Sequence, residues 1–208
     1  MNPPLLFVEG VNDLHVVKNL LGSHKLTLDV DFRIQQKQGV DPLRKTLPVV
    51  IKGGETVALG VVIDADLNLG ARWDELKDVL TKIGYTPPKE PDPTGLILSR
   101  TDLPTIGIWI MPDNQLPGIL EDFVTRLAEN DSLLPLVQQT IQAIPETSRR
   151  FAIHDTSKAV VHTWLAWQAV PGLPMGQGIT KKYLDVQAPT ALVFVDWVRR
   201  LIAAGPSE

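Results

Sequence analysis

Carboxylate side chains stand at the ends of three apolar runs of this sequence. Glu9 follows the first run, Asp64 and Asp66 follow the second, and Asp113 follows the third. If these runs are parallel strands, the carboxylates meet at the carboxyl edge of the sheet, where α/β proteins bind ligands. Asp64 and Asp66 are two residues apart, so in an extended backbone their side chains point to the same face. Carboxylate oxygens are the ligands that Mg²⁺ or Mn²⁺ prefers, so we expect such a cation here.

The same cluster predicts proton chemistry. Carboxylates that share a site repel one another, and this repulsion raises the pKa of at least one of them. Glu9 can then exchange a proton near neutral pH.

The elements that must position these acids alternate between strand and helix patterns. This alternation predicts an α/β fold, Rossmann-like, with a mostly parallel sheet, right-handed crossovers and flanking helices. The predicted strands are 5–8, 29–38, 56–63, 95–99 and 105–111, and the predicted helices are 12–21, 41–52, 72–83 and 116–130.

The rest of the chain has helical spacing only, in segments 133–144, 157–170 and 190–204. We therefore expect an α/β domain over residues 1–130 and a C-terminal helical extension over residues 131–208. The extension is expected to pack on the same core, so that the two parts can form a single domain.

The length, net charge and composition limit the classes of protein to which this chain can belong. The chain has 208 residues, a formal net charge of -4 and no cysteine. Any contact with nucleic acid must therefore use a local patch, with a metal ion offsetting the acidic site. The absence of cysteine excludes disulfides and thiolate zinc sites. No apolar run is long enough to span a membrane, so we expect a cytoplasmic protein with no membrane contact.

Two motifs in this order resemble the Toprim domain. They are Leu-Phe-Val-Glu-Gly-x-x-Asp over residues 6–13 and Val-Val-Ile-Asp-Ala-Asp over residues 61–66, with Gly39 after the second predicted strand. Type IA and II topoisomerases, bacterial primases, ribosomal-RNA maturation nucleases and OLD-family nucleases share this domain. The resemblance covers residues 5 to about 125. The segments 111–114 and 118–122 resemble small stand-alone Toprim proteins without an assigned function.

The resemblance implies separate roles for the acids. Glu9 is expected to be the general acid and base, and Asp64 and Asp66 are expected to bind Mg²⁺. Asp13 occupies the equivalent of a second acidic position in OLD-like members, which adds it to the expected metal ligands.

Several features in which this chain differs from members of the Toprim family narrow the possible functions. Topoisomerases often carry a third acid where this chain has Asn68, and neither Tyr85 nor Tyr183 lies in a strand-passage domain. The cysteine-containing zinc module of bacterial primases is absent, as is the phosphate-binding loop of the ATPase half of OLD proteins. A compact Toprim nuclease, or a Toprim relative that needs a partner, remains.

Other polar residues leave alternatives open. Lys158 and His162 are four residues apart on one helix, where Lys158 either stabilises a scissile phosphate or lies on a solvated face. Glu121 and Asp122 either contribute to the metal site or complement a helix dipole. For His15, His154 and the Arg149–Arg150, Lys181–Lys182 and Arg199–Arg200 pairs we favour a structural or surface role.

Three classes of function are compatible with these motifs. The first is a Mg²⁺-dependent phosphodiesterase acting on DNA or RNA. The second is a non-catalytic or partner-activated Toprim module in nucleic-acid processing or phage defence, with a protein partner. The third is Asp-x-Asp chemistry. Haloacid-dehalogenase-like phosphatases usually place this motif on the first strand, followed by Thr or Val, whereas here it ends the third predicted strand and Leu67-Asn68 follows. The metal-binding Asp-x-Asp of glycosyltransferases does not explain Val-Glu-Gly.

Overall fold

A five-stranded sheet forms the centre of the molecule in the computed structural model, which describes residues 3–54 and 56–204. The strand order is β2-β1-β3-β5-β4; the first four are parallel, and β4 is antiparallel to β5. This confirms the predicted α/β class. Within the described residues the elements are β1 (Leu5–Val8), α1 (Val11–Ser23), β2 (Arg33–Gln36), α2 (Val40–Gly53), β3 (Ala58–Asp64), α3 (Leu69–Ile83), β4 (Leu96–Leu98), β5 (Thr105–Met111), α4 (Leu120–Arg126), α5 (Leu133–Gln142), α6 (Thr156–Ala166), α7 (Met175–Thr180) and α8 (Pro189–Ala203).

Both faces of the sheet are covered by helices. The central strands β3 and β5 are buried nearly throughout, which explains their continuous apolar sequences. Val61 and Ile108 belong to a hydrophobic cluster with α2 and α3. Val62 and Trp109 belong to a cluster on the other face, together with α1 and α4–α8.

The C-terminal helices pack directly on the sheet. Trp164 and Trp197 lie in the same hydrophobic cluster as residues of β1, β3 and β5. A Cβ atom at Gly60 of β3 would lie 2.4 Å from Leu6 Cδ2 and 2.8 Å from Leu201 Cδ2. Only glycine therefore allows α8 to approach β3, the strand that ends at Asp64. The ends of the two expected regions, residues 1–2 and 205–208, lie outside the described residues.

Several boundaries and one helix differ from the sequence-based expectations, and three of these differences have a clear physical reason. Strand β2 begins four residues late, because Asp29 has φ +63° and belongs to a turn. Helix α4 begins at Leu120 rather than at 116, because Gly118 pairs with Asp66 in an isolated bridge. Helix α7 was not predicted, since its two glycines disfavour a helix; Gly176 allows it to cross α1 closely at His15.

Among the described helices, none is long and apolar enough to cross a membrane.

Candidate functional site

The candidate site lies where the strand order reverses. From β1 the chain crosses to β2 on one side, and from β3 it crosses to β4 and then β5 on the other. Glu9 directly follows β1, and Asp64 is the last residue of the neighbouring β3. Crevices at the carboxyl ends of strands beside such a switch point are the usual ligand sites of open α/β sheets.

Glu9 and Asp64 are in direct contact. The backbone N–H of Asp64 donates a hydrogen bond to Glu9 Oε1 at 2.9 Å. Burial raises the pKa of Glu9, while this hydrogen bond and the charge of Arg72 lower it in part. The Glu9 carboxyl is therefore both oriented and shifted towards the protonated form.

Asp64 is the most strongly perturbed acid of the group. Burial, followed by the charges of Asp13, Glu9 and Glu121, raises the pKa of Asp64 to about 9. Its Oδ1 atom is buried and has no hydrogen-bond partner. A buried carboxylate oxygen without a donor is costly unless positive charge reaches it.

Asp13 joins the group from the first turn of α1. The Gly10 N–H donates to Asp13 Oδ2 at 3.1 Å, which caps the helix, but Asp13 Oδ1 is buried without a partner. Burial and then the charge of Glu9 raise the pKa of Asp13 to about 7. Asp13 is only 6% exposed.

Glu121 comes from the first turn of α4, and the sequence had left its role open. It is a buried acid, and burial raises its pKa, while the charges of Lys158 and His162 lower it. Its neighbour Asp122 has another role, since Asp122 Oδ2 accepts the Ile119 N–H at 2.8 Å and Oδ1 accepts the Ser157 hydroxyl. Asp122 therefore caps α4 and ties it to α6.

Asp66 lies at the edge of the group. Strand β3 ends at Asp64, and Asp66 has φ +53°, so the alternation expected for extended backbone does not apply here. Its carboxylate is 56% exposed and pairs with Arg72 Nη2.

Arg72 is a site residue that the sequence did not single out. Its Nε donates to the Asp64 carbonyl at 2.9 Å, and its Nη1 donates to Glu75 Oε2 at 3.0 Å. Arg72 lies in the first turn of α3, where a positive charge is unfavourable because it opposes the helix dipole. This unfavourable position was the one signal in the sequence that Arg72 has a role outside the helix.

Asp113 does not join the acidic group. Its Oδ2 pairs with Arg126 at 3.0 Å, and its Oδ1 accepts the N–H groups of Gln115 and Leu116 at 3.0 and 2.9 Å. Both oxygens therefore hold the loop after β5.

Lys158 reaches the mouth of the site from α6. Its side chain is 51% exposed and pairs with Asp155 at 3.2 Å. The hydrogen bond to Asp155, with the charges of Glu121 and Asp64, raises the pKa of Lys158 and keeps it charged. A cavity of about 480 Å³ lies between Lys158 and the Asp66 turn.

The acids fit a cation, although their side chains do not already form a coordination sphere. In the described part of the chain, no three Asp, Glu or His side chains are arranged at metal-binding geometry. The unpaired buried oxygens of Asp13 and Asp64 are nevertheless hard donors facing other negative charges, which suits a hard divalent ion.

Two solved structures are similar to this chain, and the first of them has a similar fold. Both are of the C-terminal region of the OLD protein of Xanthomonas campestris pv. campestris. The first has a TM-score of 0.52 at 15% identity and covers 96% of each chain, and the second has a TM-score of 0.45 at 14% identity, with 98% of this chain and 92% of that one covered. No curated protein matches the sequence. Residues 3–203 match a family described as "Protein of unknown function (DUF3226)". The match spans nearly the whole chain, which therefore belongs to the DUF3226 family.

Proposed function

We propose that this protein is a metal-dependent phosphodiesterase that acts on nucleic acid. The observation that carries the proposal is the pair of buried, unpaired carboxylate oxygens on Asp13 and Asp64, within a group in which Asp13, Glu9 and Glu121 all repel the charged form of Asp64. Folding does not otherwise favour such a group, because Asp13 Oδ1 and Asp64 Oδ1 lose their hydration without gaining a hydrogen bond. Functional sites are where such perturbed groups concentrate.

Mg²⁺ or Mn²⁺ is the cation that we assign to these acids. Asp64 and Asp13 supply the unpaired oxygens, Glu9 and Glu121 supply further negative charge, and Asp66 can join from the edge by leaving Arg72. The bound cation would polarise a phosphate oxygen and offset its charge. We leave Asp113 out of this set, because Arg126 and two backbone amides engage its carboxylate.

Glu9 is the proposed general acid and base. Burial brings its pKa closer to neutral pH, where proton exchange is most effective. The Asp64 N–H holds one oxygen of the Glu9 carboxylate in place. This arrangement fixes the direction in which Glu9 takes or delivers a proton.

Lys158 is the proposed phosphate-binding residue. It is charged, half exposed and influenced by Glu121 and Asp64, so an incoming phosphate meets a positive charge at the mouth of an otherwise acidic site. The exposed pair with Asp155 is weak and is readily exchanged for a phosphate contact.

The comparisons support this proposal at the level of the fold. The likeness to the C-terminal region of an OLD protein agrees with the Toprim-like motifs, which include Glu9 in the first motif and Asp64 with Asp66 in the second. The Toprim assignment is part of the proposal.

The runner-up is a Toprim-like module that a protein partner activates. It is favoured by the pKa of about 9 at Asp64, which leaves this carboxyl protonated at neutral pH until positive charge arrives. A partner that supplies a cation or closes the site would then be required for turnover.

Calorimetric titration with Mg²⁺ and Mn²⁺, followed by cleavage assays on DNA and RNA, tests the proposal. We expect Asp64→Asn to lose metal binding and cleavage, Glu9→Gln to lose cleavage, and the control Asp113→Asn to retain both. Cleavage that persists in folded Glu9→Gln and Asp64→Asn would refute the assignment. Metal binding without turnover, with activity restored by a partner, would select the runner-up.

A further inference from the structure

Two cavities flank helix α6 beside the acidic group. One, of about 480 Å³, adjoins Asp66 and Asp122, and the other, of about 590 Å³, is lined by Phe151 and His162. Asp155 and Lys158 line both cavities. A path therefore runs from the second cavity, past Lys158, to the edge of the acidic site.

The first cavity has an apolar wall that the acidic site does not explain. Leu67 is 81% exposed and follows Asp66 directly, and Pro117 and Ile119 line the same cavity. Exposed aliphatic side chains grouped at a concave surface indicate a contact with an apolar partner group. They serve no purpose in binding a phosphate.

An unpaired nucleic-acid base has flat, apolar faces that can contact this apolar wall. In a duplex the base faces are stacked and hidden, whereas in a single strand they are free to contact apolar and aromatic side chains. The second cavity offers Phe151 and His162 for the same kind of contact.

The charges that line the first cavity leave a positive group for a phosphate. Its three carboxylates are already engaged, Asp66 by Arg72, Asp122 by the Ser157 hydroxyl and the Ile119 N–H, and Asp155 by Lys158. Lys158 lies between the two cavities and carries a positive charge. His154 also lines the first cavity and is exposed. A lysine that borders two cavities, each large enough to hold a base, is placed to contact the phosphate that joins two successive nucleotides.

We propose that the cleft along α6 binds a single-stranded segment of nucleic acid. One unpaired base contacts Leu67 and Ile119, the next lies against Phe151 and His162, and Lys158 contacts the phosphate between them. The inference rests on the proposed function, since the strand leads a phosphodiester to the acids, but it concerns binding and is testable without turnover.

Fluorescence anisotropy with labelled oligothymidylate and with its blunt duplex, in Ca²⁺ to limit cleavage, tests the inference. We expect the single strand to bind at least about tenfold more tightly than the duplex, and Leu67→Ala to weaken its binding about fivefold or more, as loss of one base contact does. Lys158→Ala should also weaken binding and reduce the salt dependence by about one phosphate contact. Leu192→Ala on α8 and Lys45→Ala on α2 are matched controls, exposed and away from the cleft.

The outcomes separate this inference from the proposed function. One outcome is that the protein cleaves nucleic acid but binds the duplex as tightly as the single strand, or that Leu67→Ala leaves single-strand binding unchanged. This outcome overturns the single-strand cleft and leaves the proposed phosphodiesterase function intact. Single-strand binding that depends on Leu67 and Lys158, without any cleavage, supports the cleft and rejects turnover by the isolated chain. Failure to bind either oligonucleotide overturns the cleft and leaves Leu67 as a contact for a protein partner.

Discussion

Asp64 illustrates how a single residue can serve a site at the expense of the fold. Its carboxyl is buried among three other acids, and one of its oxygens has no hydrogen-bond donor. Such a residue destabilises the metal-free protein, because its charged form is desolvated and repelled.

The substitution Asp64→Asn should therefore stabilise the metal-free protein. We expect a gain on the order of 1–2 kcal/mol in unfolding free energy at neutral pH, because folding must add a proton to Asp64 that the unfolded chain does not carry, and asparagine removes this cost. Urea unfolding in EDTA measures it. The same variant should gain nothing from added Mg²⁺, whereas the wild type should be stabilised; a destabilised variant, or one that Mg²⁺ stabilises equally, would contradict the role given to Asp64.

Arg72 should act on Glu9 through its charge. Its positive charge lowers the pKa of Glu9, so Arg72→Gln should raise that pKa and move the acidic limb of the cleavage pH profile upward. The variant should also lose about 1–3 kcal/mol of stability, because its contacts with Asp64, Asp66 and Glu75 disappear.

Arg44→Gln is the matched control for Arg72. Arg44 pairs with Glu75 at 2.9 Å from α2 but does not contact Asp64 or Asp66. Its loss should leave the pH profile unchanged. An equal shift in both variants would mean that Glu75, rather than Arg72, sets the proton affinity of Glu9.

At the scale of elements, α8 holds the sheet that carries Asp64. The Trp197 Nε1–H donates to the Leu96 carbonyl at 3.1 Å, and Leu201 lies over Gly60. The position of the acids therefore depends on a helix more than 120 residues further along the chain.

Gly60→Ala should displace α8. Its new methyl group would lie 2.8 Å from Leu201 Cδ2 of α8 and 2.4 Å from Leu6 Cδ2 of β1, and overpacking of this kind costs about 1–3 kcal/mol. Thermal unfolding measures the loss. Gly22→Ala is the control, because a methyl group there meets nothing within 4 Å and a helix favours alanine over glycine. An equal change in melting temperature in the two variants would argue against close packing at Gly60.

The elements that sequence predicts well are those with strong local patterns. Strands β1, β3 and β5 are apolar runs with clear ends, so their carboxyl edges and the positions of Glu9 and Asp64 followed from the sequence. Helix α7 and the late start of α4 did not, because they depend on the close crossing at Gly176 and on the Asp66–Gly118 bridge. These contacts join residues far apart in sequence.

The site itself was predictable only in part, for the same reason. Asp13 entered through a family resemblance and Glu121 was left undecided, since neither follows a strand. Asp113 pairs with Arg126, and Arg72 contacts three partners. These are side-chain contacts that the spacing of residues in the sequence does not reveal.

At the scale of the whole molecule, the acids predict how stability varies with pH. The pKa of Asp13 is raised from 3.8 to about 7 and that of Asp64 from 3.8 to about 9. Well below pH 4 both are protonated in the folded and unfolded chains. As the pH rises further, the unfolded chain loses these protons first, so folding stability falls until the folded-state pKa values are passed.

We therefore expect the melting temperature in EDTA to fall between about pH 4 and pH 9. Mg²⁺ should restore it, most strongly above pH 7, because the ion takes the place of the protons. Scanning fluorimetry across this range checks the slope, and Asp13→Asn with Asp64→Asn should flatten it. A melting temperature that rises steadily with pH in EDTA would contradict the buried acidic group.

The location of Mn²⁺ in crystals of the protein, from its anomalous scattering, shows whether the buried acids bind a cation. We expect a peak bound by Asp64 and at least one of Asp13, Glu9 and Glu121, with loss of the peak in Asp64→Asn. A peak at Asp113 instead, or no Mn²⁺ near Asp64 at millimolar concentration, would contradict the proposed metal site.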